Sequence, residues 1–405
     1  MVGPAPTPPQ AGLAALSEPL AEPATVGFVH VARGDDPARR YLTRTTTPQS
    51  PAAIVCLPSA GGLRAIYCVA ESDRDTAVEE FVSADPIDMP ATEIERTVAT
   101  RDPQTPPGAH VVSVLADHLD PPGGGTLRVP SHLPHDAALR LQQAGYRLSS
   151  TMALTDARAS KTPAEHECLQ AVQRGAVHGL RRAHELLTAS TITDGGLYLD
   201  GDPLSAQQIE REVAAALGGA GYIPETVQVR ATATEPLPAS DGIVVHLVPR
   251  GSHGYHGHLT RTVVVDSDGG WDRRAFIAAK AAQTAVRRHC EPGGTVETVA
   301  AEAVAELTAY GFPPRSRPDD AGDADATDDA GGWATVHGVG LAPAEAPRLD
   351  TGGSLRVGSV LAVETGVVDP EYGRIRLGSL IDVTADGGEW LIEAPMSLTP
   401  ATDEV

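Results

Sequence analysis

The chain is poor in lysine, aromatic residues and cysteine, and each shortage closes off a class of function. Lys161 and Lys280 are the two lysines among 31 basic residues, which face 53 acidic ones and leave a formal charge of −22. A surface of that sign repels phosphate backbones and anionic lipid, so neither nucleic acid nor a membrane surface is an expected partner. Cys56, Cys68, Cys168 and Cys290 are scattered without a CxxC pair, which argues for reduced thiols over a disulfide framework or a zinc knuckle. No apolar run approaches the ~18 residues of a spanning helix, and the N-terminus lacks a basic start followed by an apolar stretch. A soluble, cytoplasmic protein is expected. Neither a phosphate-cradling GxxxxGKS/T loop nor a GxSxG nucleophile elbow occurs.

What is abundant is carboxylate, balanced almost wholly by arginine, a composition that resembles proteins of salt-loving organisms. The excess charges are expected to repel one another in dilute buffer and to be screened over a few ångströms in molar salt. The melting temperature should therefore rise between dilute and molar salt; a flat response would refute this. At 405 residues the length suits two or three domains of roughly 150 residues, and two are expected.

Residues 1–25 carry Pro4, Pro6, Pro8, Pro9, Pro19 and Pro23 among alanines and read as a disordered arm. From Val26 the texture becomes α/β. PAAIVCL (51–57) and LRAIYCVA (63–70) predict a hairpin or neighbouring strands, VVSVL (111–115) another strand, and DAALRLQQAGY (136–146) a short helix, within a domain spanning 26–158.

A second domain, 159–400, opens on Thr162-Pro163-Ala164-Glu165, an N-cap, a first-turn proline and a reciprocal glutamate in capping-box order. Leu169, Val172, Ala176, Leu180, Ala183 and Leu187 then step by three or four, predicting an amphipathic helix of ~25 residues. Further helices are predicted from Ser205 to Gly218-Gly219, from Asp272 to Cys290 and from Val296 to Tyr310. VQVRAT, GIVVHLV, LTRTVVV, SVLAVETGVV, RIRLGSLIDVT and EWLIEAP read as strands, and the Asp- and Gly-rich segment 316–332 as a solvated acidic loop.

The segment 246–262, HLVPRGSHGYHGHLTRT, holds the candidate chemistry. It is followed by HGVGL at 337–341, AVETG around Glu364 and GRIRL before Gly378. In that order, these motifs resemble the pita-bread metallopeptidase superfamily, which holds Xaa-Pro aminopeptidases and dipeptidases, methionine aminopeptidases and creatinase. The resemblance extends to a creatinase-like N-terminal domain through Arg40-Tyr41-Leu42-Thr43-Arg44. It implies an α/β (α+β) fold of that domain followed by a pita-bread peptidase domain, a peptide or small-molecule pocket, and a homodimer or a heterodimer with an intact relative.

In active relatives five side chains hold two divalent metals. The matching positions here are His246, His258, His337, Glu364 and Gly378, so two aspartates are replaced by histidine and a glutamate by glycine. Four carboxylates and a neutral imidazole offset two divalent ions with −4, whereas three imidazoles and one carboxylate bring −1. A neutral imidazole also offers one lone-pair nitrogen and cannot bridge two ions as a carboxylate does. The two proton-handling histidines implied by the resemblance are missing too: the segment before Ile243 has none, and Ala344 precedes Glu345. Two alternatives stay open: a metal-free pocket without peptidase activity, or an active metal-dependent aminopeptidase or dipeptidase running on a single zinc, manganese, iron or nickel ion held by His246, His258, His337 and Glu364. His253 and His256 are expected to be solvent-facing turn residues, and His289 beside Cys290 to be structural.

Overall fold

The computed structural model describes residues 11–45, 50–60, 62–82, 93–316, 330–350 and 352–400. The chain divides into two compact units, one within Thr7–Arg158 and one within Ala159–Val405. In the first, β1 (Thr25–Ala32), β2 (Ala52–Ser59), β3 (Gly62–Ala70), β4 (Glu93–Arg101), β5 (Thr126–Val129) and β6 (Arg147–Ser150) form one sheet in the order β4-β3-β2-β1-β5-β6. The first three strands pair antiparallel, as the two apolar runs predict, and the outer pairs are parallel. The helices are α1 (Ser17–Ala21), α2 (Pro37–Thr43), α3 (Arg74–Ala77), α4 (Pro107–His118), α5 (His135–Gln143) and α6 (Ala153–Ala159).

Two expectations are corrected here. VVSVL is not a strand but the middle of α4: Val111, Val114 and Leu115 share one helical face and bury against Val55, Ile66 and Leu127. The β-branched residues suggested a strand, but three-four spacing behind Pro107 decides for helix. The proline-rich start is also not wholly a disordered arm. Residues 1–10 lie outside the described ones, but Ala11–Leu16 forms a 3-10 turn that runs into α1, burying Leu13, Leu16 and Leu20 at three- and four-residue spacing. That apolar stripe outweighs the local proline content.

Asp36 caps α2, accepting from the Arg39 amide at 2.7 Å, and its Oδ1 lies 2.9 Å from Nε2 of the fully buried His30. Burial alone pushes this carboxyl up, but the His30 hydrogen bond and charge, with the Arg39 amide, outweigh it and hold the pKa at about 2. Because the folded value lies below the ordinary 3.8, the stability it contributes is complete above about pH 4 and is lost as pH falls through about 2. Asp36→Ala is expected to cost about 2 kcal/mol at neutral pH, with the gap to the parent closing in urea melts toward about pH 2. A gap that stays constant with pH would refute this account.

The second unit is built on α7 (Pro163–Ala189), α8 (Ala206–Gly219), α9 (Trp271–His289) and α10 (Val296–Ala309). The Thr162 capping box is formed in both directions, and Ser205 Oγ accepts from the Gln208 amide at 3.1 Å at the head of α8. A small sheet joins β7 (Thr191–Thr193), β8 (Gly196–Leu199) and β9 (Asp202–Pro203). The large sheet comprises β10 (Ile223–Arg230), β11 (Ile243–Arg250), β12 (Leu259–Val263), β13 (Gly331–Gly338), β14 (Glu345–Arg348), β15 (Val360–Asp369), β16 (Gly373–Thr384) and β17 (Gly387–Trp390). Its order is β10-β11-β12-β16-β15-β13-β14, with β17 on β16. Most of the acidic loop expected at 316–332 lies outside the described residues, but Gly331 and Gly332 belong to β13 rather than to a loop. EWLIEAP is a strand only to Trp390; Leu391–Pro395 leave the sheet.

Alternation across this sheet decides what each face does. Val245, Leu247, Leu259, Val363 and Leu377 point toward the helices, α7 and α8 covering β10–β12 and α9 and α10 covering β13, β15 and β16. The residues between them face the other way.

Candidate functional site

One cross-strand row carries the site. His246 on β11 pairs with Thr260 on β12, Thr260 with Gly378 on β16, Gly378 with Glu364 on β15, and Glu364 with Thr335 on β13. Directly paired residues share a face, so side chains 14 to more than 100 residues apart in sequence meet here. His337 stands two residues beyond Thr335 on the same face, and His258 just precedes β12.

The buried row is chained by hydrogen bonds. His246 Nδ1 lies 2.7 Å from Thr260 Oγ1, Thr260 Oγ1 donates to Glu364 Oε1 at 2.9 Å, and Arg376 Nη2 donates to the same oxygen at 2.7 Å. A hydroxyl has one proton, and it goes to the carboxylate. His246 Nδ1 must therefore be the donor to Thr260, which makes Nε2 its lone-pair nitrogen. His337 is set similarly, with Nδ1 donating to Gly338 O at 3.0 Å. The His246 and His258 rings meet edge to face at 5.1 Å, and His258 and His337 at 6.0 Å.

Arg376 is itself held. Its guanidinium lies 5.6 Å over the Trp333 ring, and Trp333 reaches it across Gly366, where an added Cβ would come within 2.5 Å of the indole. The missing side chain at Gly366 leaves the indole room to pass over β15 toward Arg376. Glu364, 2% exposed, thus has a positioned cation beside it.

His258 is placed from behind by Gln173 of α7, whose Oε1 accepts from the His258 amide and whose Nε2 donates to the His258 carbonyl, each at 3.0 Å. Gly378 shows what the ring displaces. A Cβ there would stand 2.8 Å from Thr260 Oγ1 and 3.1 Å from His258 Nε2, so imidazole and hydroxyl fill the space a side chain at 378 would need. Among the candidate residues, His246, His258 and Glu364 each bring one ligand atom within 4.8 Å of the others; His337 stands outside that group.

The expectation of solvent-facing His253 and His256 is corrected. They are 5% and 4% exposed, because the hairpin loop folds inward. His256 Nε2 bonds Glu225 Oε2 at 2.7 Å and its amide bonds Gly340 O at 2.9 Å, while Tyr255 donates its hydroxyl to Glu165 Oε1 at 2.7 Å. His289 Nδ1 donates to Ala285 O within its own helix at 2.9 Å, and burial pushes the neighbouring Cys290 thiol up to about 12, leaving no activated Cys-His pair there.

Residues 160–385, more than half of the chain, match the model of metallopeptidase family M24. The chain belongs to metallopeptidase family M24. Its similarity to the "Uncharacterized peptidase YqhT" of Bacillus subtilis (strain 168) is 28% identity over 147 residues, 36% of this chain and 37% of that protein. The chain thus aligns with little more than a third of that relative. Similar solved structures are the prolidase from Pyrococcus horikoshii OT3 (TM-score 0.70, 17% identity, covering 96% of this chain and 99% of that one) and the Xaa-Pro dipeptidase from Bacillus anthracis (0.69, 17%, 96% and 98%). Dipeptidase PepE from Mycobacterium ulcerans is also similar (0.66, 19%, 96% of each chain). The architecture is the pita-bread fold with an N-terminal domain.

Family M24 uses divalent metals, and the donors present here do not fit a dinuclear pair. Glu364 is the one carboxylate in the row, its charge is met by Arg376, and position 378 is closed by the neighbouring side chains. Sequence reasoning named the five family positions but missed Thr260 and Arg376 as active parts of the row. Both sit inside quoted motifs, Thr-Arg-Thr and Arg-Leu-Gly, and strand alternation with the Glu364 side chain was the signal that could have found them. Glu345, beside the residue standing where a histidine was expected, instead accepts from the buried Lys161 at 3.0 Å.

Proposed function

We propose that this chain is a family M24 member without the dinuclear peptidase chemistry, whose pocket binds a peptide or small molecule instead of cleaving it. The observation that carries this is the Glu364–Arg376 pair at 2.7 Å. With the imidazoles neutral, as metal ligation requires, one carboxylate and one guanidinium sum to zero, so even one divalent ion would bring its whole charge uncompensated into a buried site.

A second reading, a single metal on His246, His258, His337 and Glu364, is favoured by one feature: Nδ1 of both His246 and His337 is a donor, which turns Nε2 into the lone-pair nitrogen. Purified protein is expected to contain no stoichiometric metal and to leave Xaa-Pro dipeptides intact with added manganese, cobalt or zinc. One equivalent of metal by elemental analysis, or turnover abolished by His337→Ala, would replace the first reading with the second. In the favoured reading the protein acts as a peptide-binding or partner subunit, a homodimer or one half of a mixed dimer with an intact relative.

A further inference from the structure

The helix-facing side of the same sheet carries a charge that no carboxylate among the described residues pairs with. Arg261, next to the site residue Thr260, is 1% exposed. Its Nε donates to Pro395 O at 2.7 Å, its Nη1 to Thr260 O at 2.8 Å, Gly378 O at 2.6 Å and Ser379 Oγ at 3.3 Å, and its Nη2 to Ala394 O at 3.5 Å. Every acceptor is neutral, and among the described residues no carboxylate pairs with it. Burial lowers the guanidinium to about 10, which leaves it protonated at neutral pH. Carbonyl dipoles satisfy its hydrogen bonds but bring no opposite charge, and a buried cation without one is costly.

This guanidinium lines a cavity of about 220 Å³ together with Lys280 and Thr284 of α9, Ser379, Trp390 and Met396. The chain's other lysine, Lys161, is spent on Glu345, whereas Lys280 pairs with no carboxylate among the described residues. The Arg261 guanidinium, the exposed Lys280 and the Ser379 hydroxyl therefore line one space in a chain of net charge −22, while Thr284 donates its hydroxyl to Lys280 O at 3.0 Å. Glu393, exposed, also lines it and opposes them. We propose that this cavity binds a small oxyanion, of the carboxylate or phosphate class, held by Arg261, Lys280 and Ser379. The site lies on the face of the sheet away from His246 and Glu364 and depends on neither the metal nor the peptide reading.

The test is the melting temperature of the full chain at constant ionic strength, with chloride exchanged for inorganic phosphate in one arm and acetate in another. A saturable rise is expected, and the anion that saturates at the lower concentration identifies the source. Lys280→Ala should move the midpoint about tenfold upward, the equivalent of about 1.4 kcal/mol, and Glu393→Gln should move it downward. Ser379→Asp supplies an internal carboxylate beside Nη1; it should abolish the response and start from a higher melting temperature. No saturable rise in the parent, or one that Lys280→Ala and Ser379→Asp leave unchanged, would overturn the proposal.

Discussion

The combined replacement His246→Asp, His258→Asp and Gly378→Glu is expected to raise divalent-metal loading to two equivalents, read by elemental analysis after equilibration with manganese or cobalt. The three changes add three carboxylates to Glu364, restoring the four carboxylates implied for a dinuclear site and bringing the row to −3 with Arg376 counted. They also relieve a steric conflict that the single change creates. Gly378→Glu alone drives a Cβ to within 3.1 Å of His258 Nε2 and 2.8 Å of Thr260 Oγ1, and is expected to cost about 1–3 kcal/mol in urea melts. With the imidazole gone, part of that penalty should disappear, so the triple variant should be more stable than the sum of its parts. A triple variant that binds no metal, or a Gly378→Glu single as stable as the parent, would show that histidine and glycine are not spatial substitutes for the ligand set. Recovered metal does not imply recovered turnover, since the segment before Ile243 and position 344 still lack histidine.

Arg376→Met should be the most destabilising change at the site, by about 3–5 kcal/mol, because it strands the Glu364 carboxylate, 2% exposed, without its cation. Adding Glu364→Leu should recover most of the loss, since removing both partners leaves no buried charge. The same variant tests the charge argument from the other side. Once the guanidinium is gone the row carries −1, and zinc affinity should rise at least tenfold in calorimetry. Unchanged affinity would mean that Arg376 does not decide whether a metal binds.

The elements most legible in the sequence were those with chemistry at their ends. The helix beginning at Pro163 announced itself through Thr162 and Glu165, and the one beginning at Ala206 through Ser205, because a side chain that satisfies an open amide acts locally and needs no tertiary context. α4 was misread because Val111, Val112 and Val114 favour a strand by type, while the burial of Val111, Val114 and Leu115 as one helical face is decided by the sheet they cover. The inward fold of the 251–257 loop was hidden likewise. Glu225, Glu165 and Gly340, which hold His256 and Tyr255, lie 31 to 90 residues away in sequence, so nothing adjacent marked those side chains as buried.

For the site, the chain by itself determined which residue types occupy the family's ligand positions, and hence that the carboxylate count is too low for two metals. Such counting needs only the order of the motifs. The fate of that deficit was decided by the tertiary structure. Strand pairing set Arg376 against Glu364 and let the His258 ring and the Thr260 hydroxyl close the space at Gly378, because residues from five strands are brought into one row only when the sheet is complete. The same pairing turned Arg261 to the opposite face, where it lines a cavity and, among the described residues, pairs with no carboxylate.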